Sequence, residues 1–525
     1  MLNSNLQDGM KEWKNVDFKV NGTPDRSCYD LVVADYGSRM TVVDVLKNRP
    51  AAKEAVSEEL KKIKKDDESS DSPRSISVNY EGKGGLRAVI LTGNSGAYFL
   101  QDTIRQSFAP FLTADEEDRE VSVSLKGLKD DYARDVLQWI ASLAVLTRFR
   151  SEAYGKKQKD RKKLGKLTVY FQTGLNRNLA EDRIFEGRVL GFCNNQVRYF
   201  ADLPGNVLNP KGYREKVSAL AKDWKVNFEF IDKKQLVKKG AGAFLAVMRG
   251  DSSDQAGIAH LWYPGSGSSG ASSRGKASGK KRKIAVVGKG ICFDTGGYNI
   301  KGGESMLNMH RDMTGSAVAL SLFRALVELE APYEVHAYLA IAENLISSEA
   351  FRPNDVVIAS NGMSIEVVDT DAEGRMVLSD TLAIASEEKP DFIIDFATLT
   401  GSVVRSLDTR RCGAYSNQLK VSHAAVEVGE RCGERVWNFP IGQDYDESVK
   451  SEIADVRQCA VSASADHIYA STFLSKFVGK NIPWLHIDLA ADSNKGGLGL
   501  VPTETTGFGV RFGYEMIRHF VDGLK

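Results

Sequence analysis

The sequence predicts an α/β protein of two domains: a smaller N-terminal α/β domain, and a larger C-terminal one with a mixed central sheet covered by helices. Three observations predict it. The chain has 525 residues, more than one hydrophobic core usually organises. Strand-like apolar runs alternate with helix-like stretches, the pattern of a sheet with covered faces. Residues that can do chemistry follow strands in the later part of the chain, where the active groups of α/β sheets gather.

In the first part, Leu31-Val32-Val33 and Ala88-Val89-Ile90-Leu91 read as strands, and Lys53 to Lys65 and Asp131 to Thr147 as helices. The polar run 66–73 between them reads as a solvated loop. The basic run from Lys156 to Lys166 (KKQKDRKKLGK) reads as a charged connector, which puts the domains at 1–165 and 166–525. Beyond it, Leu167 to Phe171, Ile284 to Val287, Val335 to Ile341 and Phe392 to Asp395 read as strands, and Glu181 to Tyr199 as a helix. Asn209-Pro210 is placed to cap and begin another helix. Residues 265–281 (GSGSSGASSRGKASGKK) carry almost no apolar side chain and read as a disordered insertion.

Composition excludes some partners. With 42% hydrophobic and 26% charged residues the chain is an ordinary globular protein. Its 70 basic and 69 acidic residues leave a net charge of +1, which exerts no global pull on nucleic acid or an anionic membrane. The run 156–166 could contact phosphates, but it has no aromatic residue for base stacking, so nucleic-acid binding is not expected. No apolar stretch approaches the roughly 20 residues of a membrane span. The N-terminal MLNSNLQDGMKEWKN lacks the apolar core of a secretory signal, and Asp8 and Glu12 argue against a transit peptide. Six scattered cysteines with no CxxC pair fit a reducing compartment, so a cytoplasmic location is expected.

Two segments carry chemistry. In the first, a strand ends in the glycine-rich stretch from Val287 to Lys301, which holds Lys289, Asp294 and Lys301 and continues to Asp312. Its spacing is neither a GxxxxGK[ST] phosphate loop nor GxGxxG. In the second, Val367-Val368-Asp369-Thr370-Asp371-Ala372-Glu373-Gly374-Arg375, three acids fall within five residues, between a strand-like run and a helical one. Carboxylates that close repel one another, and a divalent cation removes the conflict. Hard oxygen ligands suit Mg²⁺ or Mn²⁺, and Zn²⁺ accepts them as well. Taken alone, such an acidic turn is more often a solvated one.

Together these segments resemble the leucyl aminopeptidase family, the M17 metallopeptidases. Asp371-Ala372-Glu373-Gly374-Arg375 matches the core of its NTDAEGR signature, and Lys289 through Lys301 its GKGxxFDxGGxxxK signature. The likeness continues through Ala397 to Gly401, Trp484 to Asp488 and Thr506 to Val510, covering roughly residues 180 to 525. The resemblance implies a metal-dependent aminopeptidase that removes N-terminal residues, leucine-like ones preferred, by way of a water bridging two metal ions. The ions would be Zn, Mn, Mg or Co. It implies that Asp294 and Glu373 bridge them, that Asp371 completes the more exchangeable site, and that Lys289 and Asp312 complete the tighter one. Lys289 as a ligand must be neutral, and neighbouring cations and desolvation are expected to depress its pKa. Lys301 would stabilise the oxyanion. Arg375 would hold a bicarbonate ion that shuttles protons. Met309, Thr398 and Gly401 would form the pocket for the first side chain, where a flexible methionine suits leucine. The family also implies a homohexamer.

The sequence departs from the family at Asp369, where asparagine is usual, and at Leu489-Ala490-Ala491, where a glycine commonly follows the alanine. Neither removes a ligand. The seven histidines form no HxH or HExxH pair, and His310, near the first motif, reads as a packing residue or one that supports a ligand rather than as a ligand itself. A catalytically silent, peptide- or nucleic-acid-binding member is the alternative. Loss of a ligand or of Lys301 would signal it, and all are present.

Overall fold

The structure is a computed structural model and describes residues 13–523 apart from 14, 24–28, 36–37, 40, 45, 47–49, 64–72, 80–84, 92–95, 114–115, 126, 267–280 and 461–463. The loop expected at 66–73 and the insertion expected at 265–281 thus lie almost wholly outside the described residues. The chain divides into two compact units. One comprises Met1–Asn195, Glu430–Gly433 and Lys495–Thr506; the other comprises Gln196–Gly429, Glu434–Asn494 and Gly507–Lys525.

The first unit holds β1 (Val16–Val20), β2 (Tyr29–Asp35), β3 (Arg74–Asn79), β4 (Gly85–Leu91), β5 (Arg119–Ser124) and β6 (Leu167–Gln172) in one sheet of order β1-β6-β5-β2-β4-β3. Only the β3–β4 pair is antiparallel. Within β2 and β4, residues 31–34 and 88–91 are continuous apolar runs because both faces are covered. Leu31, Val33, Val89 and Leu91 pack against the helices Ala97–Leu112 and Asp130–Leu146. Val32, Ala34, Ala88 and Ile90 pack against Val56 and Leu60 of the helix Pro50–Lys62.

The unit ends later than the sequence suggests. Strand β6 is hydrogen-bonded between β1 and β5, with Leu167 opposite both Val16 and Arg119. The residues after 165 therefore complete the N-terminal sheet. The basic run is bound into the same unit rather than being a free connector: Lys162 pairs with Glu116 at 2.7 Å and Lys166 with Asp17 at 2.5 Å.

The second unit is built on eight strands: β7 (Asn227–Ile231), β8 (Gly257–Tyr263), β9 (Lys283–Asp294), β10 (Glu334–Asn344), β13 (Phe392–Ala397), β14 (Cys412–Ser416), β15 (Val436–Asn438) and β17 (Trp484–Asp488). Their order is β15-β14-β17-β13-β9-β10-β8-β7. The central four, β17, β13, β9 and β10, are parallel, and antiparallel pairs flank them on both sides. That is the mixed, helix-covered sheet the sequence predicts. One face packs on the helices Gly242–Met248 and Glu373–Glu387. The helix Thr314–Glu328, buried at 13 of its 15 residues, lies against the other, where Gly288 faces Gly315 and Ser316. A small sheet of β11 (Val356–Ile358), β12 (Ser364–Glu366) and β16 (Val456–Arg457) completes the unit. Strand β16 runs parallel to β12, so both deliver the residues that follow them to the same end. Among the described residues no helix is long and apolar enough to cross a membrane.

Candidate metal centre

The chemistry-bearing residues converge at the C-terminal ends of β9, β10 and β13. Side chains alternate along a strand. Ala285, Val287 and Ile291 join the core beneath the helix Glu373–Glu387, and Lys289, in the same alternation, is carried to that face. Gly374 makes the approach possible, since a Cβ there would stand 2.5 Å from Lys289 Cε. Lys289 Nζ lies 2.8 Å from Asp312 Oδ2 and 3.0 Å from Glu373 Oε1, and donates to the Thr398 carbonyl at 3.0 Å.

Asp294 ends β9 and is fixed from two sides. Asn344, its register partner on β10, donates Nδ2 to Asp294 Oδ1 at 2.8 Å, and the Gly296 amide donates to the same oxygen at 2.9 Å. Gly296 has φ +84°, and a Cβ there would stand 2.9 Å from Asp371 Oδ1. Only glycine serves both the turn and the close approach. Lys301 Nζ reaches Asp294 Oδ2 at 2.8 Å and Asp371 Oδ1 at 2.6 Å. Asp294, Asp371 and Glu373 each turn one oxygen to a shared point, all three within 4.8 Å of one another.

Four carboxylates (Asp294, Asp312, Asp371, Glu373) therefore face two lysines. Burial, then Asp294, raises the Glu373 pKa well above the usual carboxylate range. Burial raises Asp312 to about 6 although Lys289 pulls it down, and burial and Asp294 raise Asp371. Without bound cations, burial pulls the Lys289 pKa down, but Asp312, Glu373 and Asp294 outweigh that and hold it above the ordinary lysine value. The depression expected from the sequence requires the cations, whose charge would offset these carboxylates. Lys301 is raised for the same reason, by Asp294 above all.

The donor set fits divalent cations. Asp312 Oδ2 and Glu373 Oε1 share the one ammonium of Lys289, and Glu373 Oε2 is buried without a hydrogen-bond partner, a costly condition for a carboxylate unless an ion meets it. The guanidinium of Arg375, expected to hold bicarbonate, is partly engaged by the chain itself. Arg375 is 2% exposed. Its Nη2 lies 2.6 Å from Asp466 Oδ2 and its Nη1 donates to the Gln458 carbonyl at 3.2 Å, while its Nε is buried without a hydrogen-bond partner and is the one donor nitrogen left for an anion.

The residues expected to line the side-chain pocket are placed as follows. Thr398 donates its hydroxyl to Asp312 Oδ1 at 2.8 Å, so it orients an acid of the cluster. Met309 stands half-buried in the turn Met309–Arg311, just before Asp312, and Gly401 opens the helix Gly401–Leu407. At Asp369, Oδ1 accepts from the Asp371 amide at 2.9 Å. An asparagine oxygen could make the same bond, so the loop is kept, while the added charge contributes to the rise at Asp371. No described histidine joins the cluster. His486 instead pairs with Asp395 at 2.6 Å, both fully buried, and Trp484 Nε1 donates to the same carboxylate.

Asn344, Gln458 and Asp466 were not signalled by the sequence, since nothing local marks them. Gln458, fully buried directly after β16, clamps the acid-bearing loop. Its Oε1 accepts from the Val368 and Asp369 amides at 3.0 and 3.1 Å, and its Nε2 donates to the Ala372 carbonyl at 3.0 Å. Groups that orient metal ligands typically matter 10–100-fold. Gln458→Ala is expected to weaken metal affinity by about that factor in a metal titration, with the fold retained by circular dichroism. An unchanged affinity would mean that the loop holds its shape unaided.

A parallel-centred α/β sheet with a buried, partly unpartnered acid cluster at its strand ends defines a metal-dependent enzyme of the α/β class. Comparison with known proteins narrows this. Residues 195–513 match the Peptidase M17 family, described as the cytosol aminopeptidase family, catalytic domain. A probable cytosol aminopeptidase of Aquifex aeolicus (strain VF5) is 35% identical over 421 residues, 79% of this chain and 81% of that one. One from Persephonella marina (strain DSM 14350 / EX-H1) is 34% identical over 395 residues, 75% of this chain and 76% of that one. The fold is similar to a solved leucyl aminopeptidase from Leishmania major in complex with actinonin, at a TM-score of 0.77 and 24% identity over 98% of each chain. The chain belongs to the cytosol aminopeptidase family. It is a metalloexopeptidase that hydrolyses the N-terminal residue of peptides.

Proposed function

We propose that this enzyme releases N-terminal residues, leucine-like ones preferred, with two divalent cations held by Lys289, Asp294, Asp312, Asp371 and Glu373. When bound, such a pair supplies Lewis acidity and a water acidic enough to ionise near neutral pH. Asp294 and Glu373 would contribute to both ions, Lys289 and Asp312 to one of them and Asp371 to the other. The buried Glu373 Oε2, which has no hydrogen-bond partner, supports this reading most directly.

The rest falls to other residues. Asn344, Thr398 and Gln458 hold the acids in place. Lys301, 14% exposed at the edge of the cluster, offers its ammonium to the oxyanion that forms on the scissile carbonyl. Met309, with Thr398 and Gly401 nearby in the chain's site segments, receives the first side chain. A cytoplasmic location, a homohexameric assembly and Zn, Mn, Mg or Co as the resident ions complete the proposal.

A chromogenic leucine amide tests it. Hydrolysis is expected to vanish on treatment with a chelator and to return with Mn²⁺, Co²⁺ or Zn²⁺. A folded protein inactive with all of these would sink the proposal and favour a silent, peptide-binding member.

A further inference from the structure

Two loops meet at the cluster: 295–301, which ends on Lys301, and 367–373, which carries Asp371 and Glu373. Thr370, fully buried, joins them. Its hydroxyl accepts from the Asn299 amide at 2.8 Å and stands 2.7 Å from the Gly296 carbonyl and 3.0 Å from Asn299 Oδ1, either of which can take its proton. Asn299 Oδ1 in turn accepts from the Thr370 amide at 3.1 Å. Gly297, at φ +64°, lets the loops touch, since a Cβ there would stand 2.9 Å from Thr370 Oγ1. The loops differ in what else holds them. The acid loop has its own supports: Gln458 binds it at three points, and Asp369 Oδ1 accepts from the Asp371 amide. The lysine loop is anchored at its base, where the Thr295 hydroxyl donates to the Asn344 carbonyl, and Tyr298 reaches the Ser347 carbonyl from the exposed side. The Lys301 amide closes it on the Thr295 carbonyl at 3.0 Å. Between these points the Gly296 carbonyl, the Asn299 amide and Asn299 Oδ1 all meet Thr370. Beyond Lys301 come Gly302 and Gly303, where an added Cβ would meet nothing within 4 Å. Packing does not fix the chain on that side.

We propose that Thr370 and Asn299 are positioning residues that latch the lysine loop to the acid loop and so set where Lys301 presents its ammonium. This deepens the aminopeptidase reading above and rests on the role given there to Lys301. The ammonium is aimed from two directions. Asp371, next to Thr370 in the chain, holds Nζ at 2.6 Å, while Thr370 holds the backbone of the loop that delivers the side chain. A donor to an oxyanion acts only within hydrogen-bond reach of the developing charge, and a misplacement of about 1 Å can cost on the order of 100-fold in rate. Without the Thr370 hydroxyl the acids keep their supports and still bind metal, but the lysine loses its place.

The manganese-loaded protein is assayed on a leucine amide, with kcat, KM and manganese affinity measured separately. Thr370→Val removes the hydroxyl at nearly the same shape and is expected to lower kcat by about 10- to 100-fold, with KM and manganese affinity close to wild type. Thr370→Ser keeps the hydroxyl and is expected to recover most of the rate. Asn299→Ala, at an exposed position that spares the core, is expected to lower kcat in the same way. In a Lys301→Ala background, Thr370→Val is expected to cost no more than about twofold, because residues that act through one group are not additive. A folded Thr370→Val enzyme with full kcat would overturn the proposal. So would a rate loss explained wholly by weaker manganese binding, a Thr370→Ser enzyme as slow as Thr370→Val, or losses that multiply in full when combined with Lys301→Ala. Lys301→Ala at the wild-type rate would sink the role of Lys301 and the latch with it, whereas a slow Lys301→Ala beside a full-rate Thr370→Val sinks the latch alone. A wild type inactive with every metal would sink the aminopeptidase reading and this proposal together.

Discussion

Glu373→Gln is expected to lower kcat/KM by at least about 10³-fold while leaving the metal-free protein no less stable than the wild type. The first half follows from the place of Glu373 in the cluster. Its side chain is 1% exposed, with Oε1 3.0 Å from Lys289 Nζ and Oε2 buried without a hydrogen-bond partner. An amide of the same shape fills the space but carries no charge to bind a cation. Losing the metals forfeits several kcal/mol of transition-state stabilisation, and each 1.36 kcal/mol is tenfold in rate. The second half follows from repulsion. Burial and the charges of Asp294 and Asp312 oppose an ionised Glu373 and outweigh Lys289 and Lys301, which favour it, so a neutral side chain is tolerated in the absence of metal. Thermal unfolding with and without Mn²⁺ reads both halves. The wild type gains stability on binding, and the variant is expected to gain little. Activity within tenfold of wild type, with the metal-induced shift intact, would falsify the assignment of Glu373.

Lys301→Ala is expected to cut kcat by about 10² to 10³ with little change in KM, the cost of removing one oxyanion donor. Lys301 lies at the exposed edge of the cluster, 2.8 Å from Asp294 and 2.6 Å from Asp371. Two carboxylates hold its ammonium where charge would develop on a bound carbonyl, and they keep it protonated. Arginine is not expected to substitute, since a planar guanidinium spreads its charge and cannot be held at one point in the same way. Metal content must be measured alongside, because loss of the lysine also removes a counter-charge from two acids. A fall in metal affinity that accounts for the whole rate loss would make Lys301 a structural cation and nothing more.

The bulk of the fold was legible because it depends on local pattern. Apolar runs at 31–33, 88–91, 284–287 and 392–395 became strands, and Asn209 caps the helix Pro210–Trp224 as its sequence suggests. The division into units was misjudged because a run of lysines resembles a linker. Only the pairing of Leu167 with Val16 and Arg119, across about 150 and 48 residues of chain, assigns β6 to the first sheet.

The same contrast runs through the site. Sequence alone singled out the acids and lysines that the fold brings together, because each sits in a short, glycine-spaced segment after a strand. Tertiary structure decided what surrounds them. Thr398, read as a pocket wall, orients Asp312; Gln458 ties down a loop some 90 residues before it; Arg375, read as an anion site, is already held by Asp466. A side chain's chemistry is set by its own atoms, but its charge state and free hydrogen-bonding edges are set by whatever folding places against it. Those neighbours come from distant segments, so no local pattern could announce them.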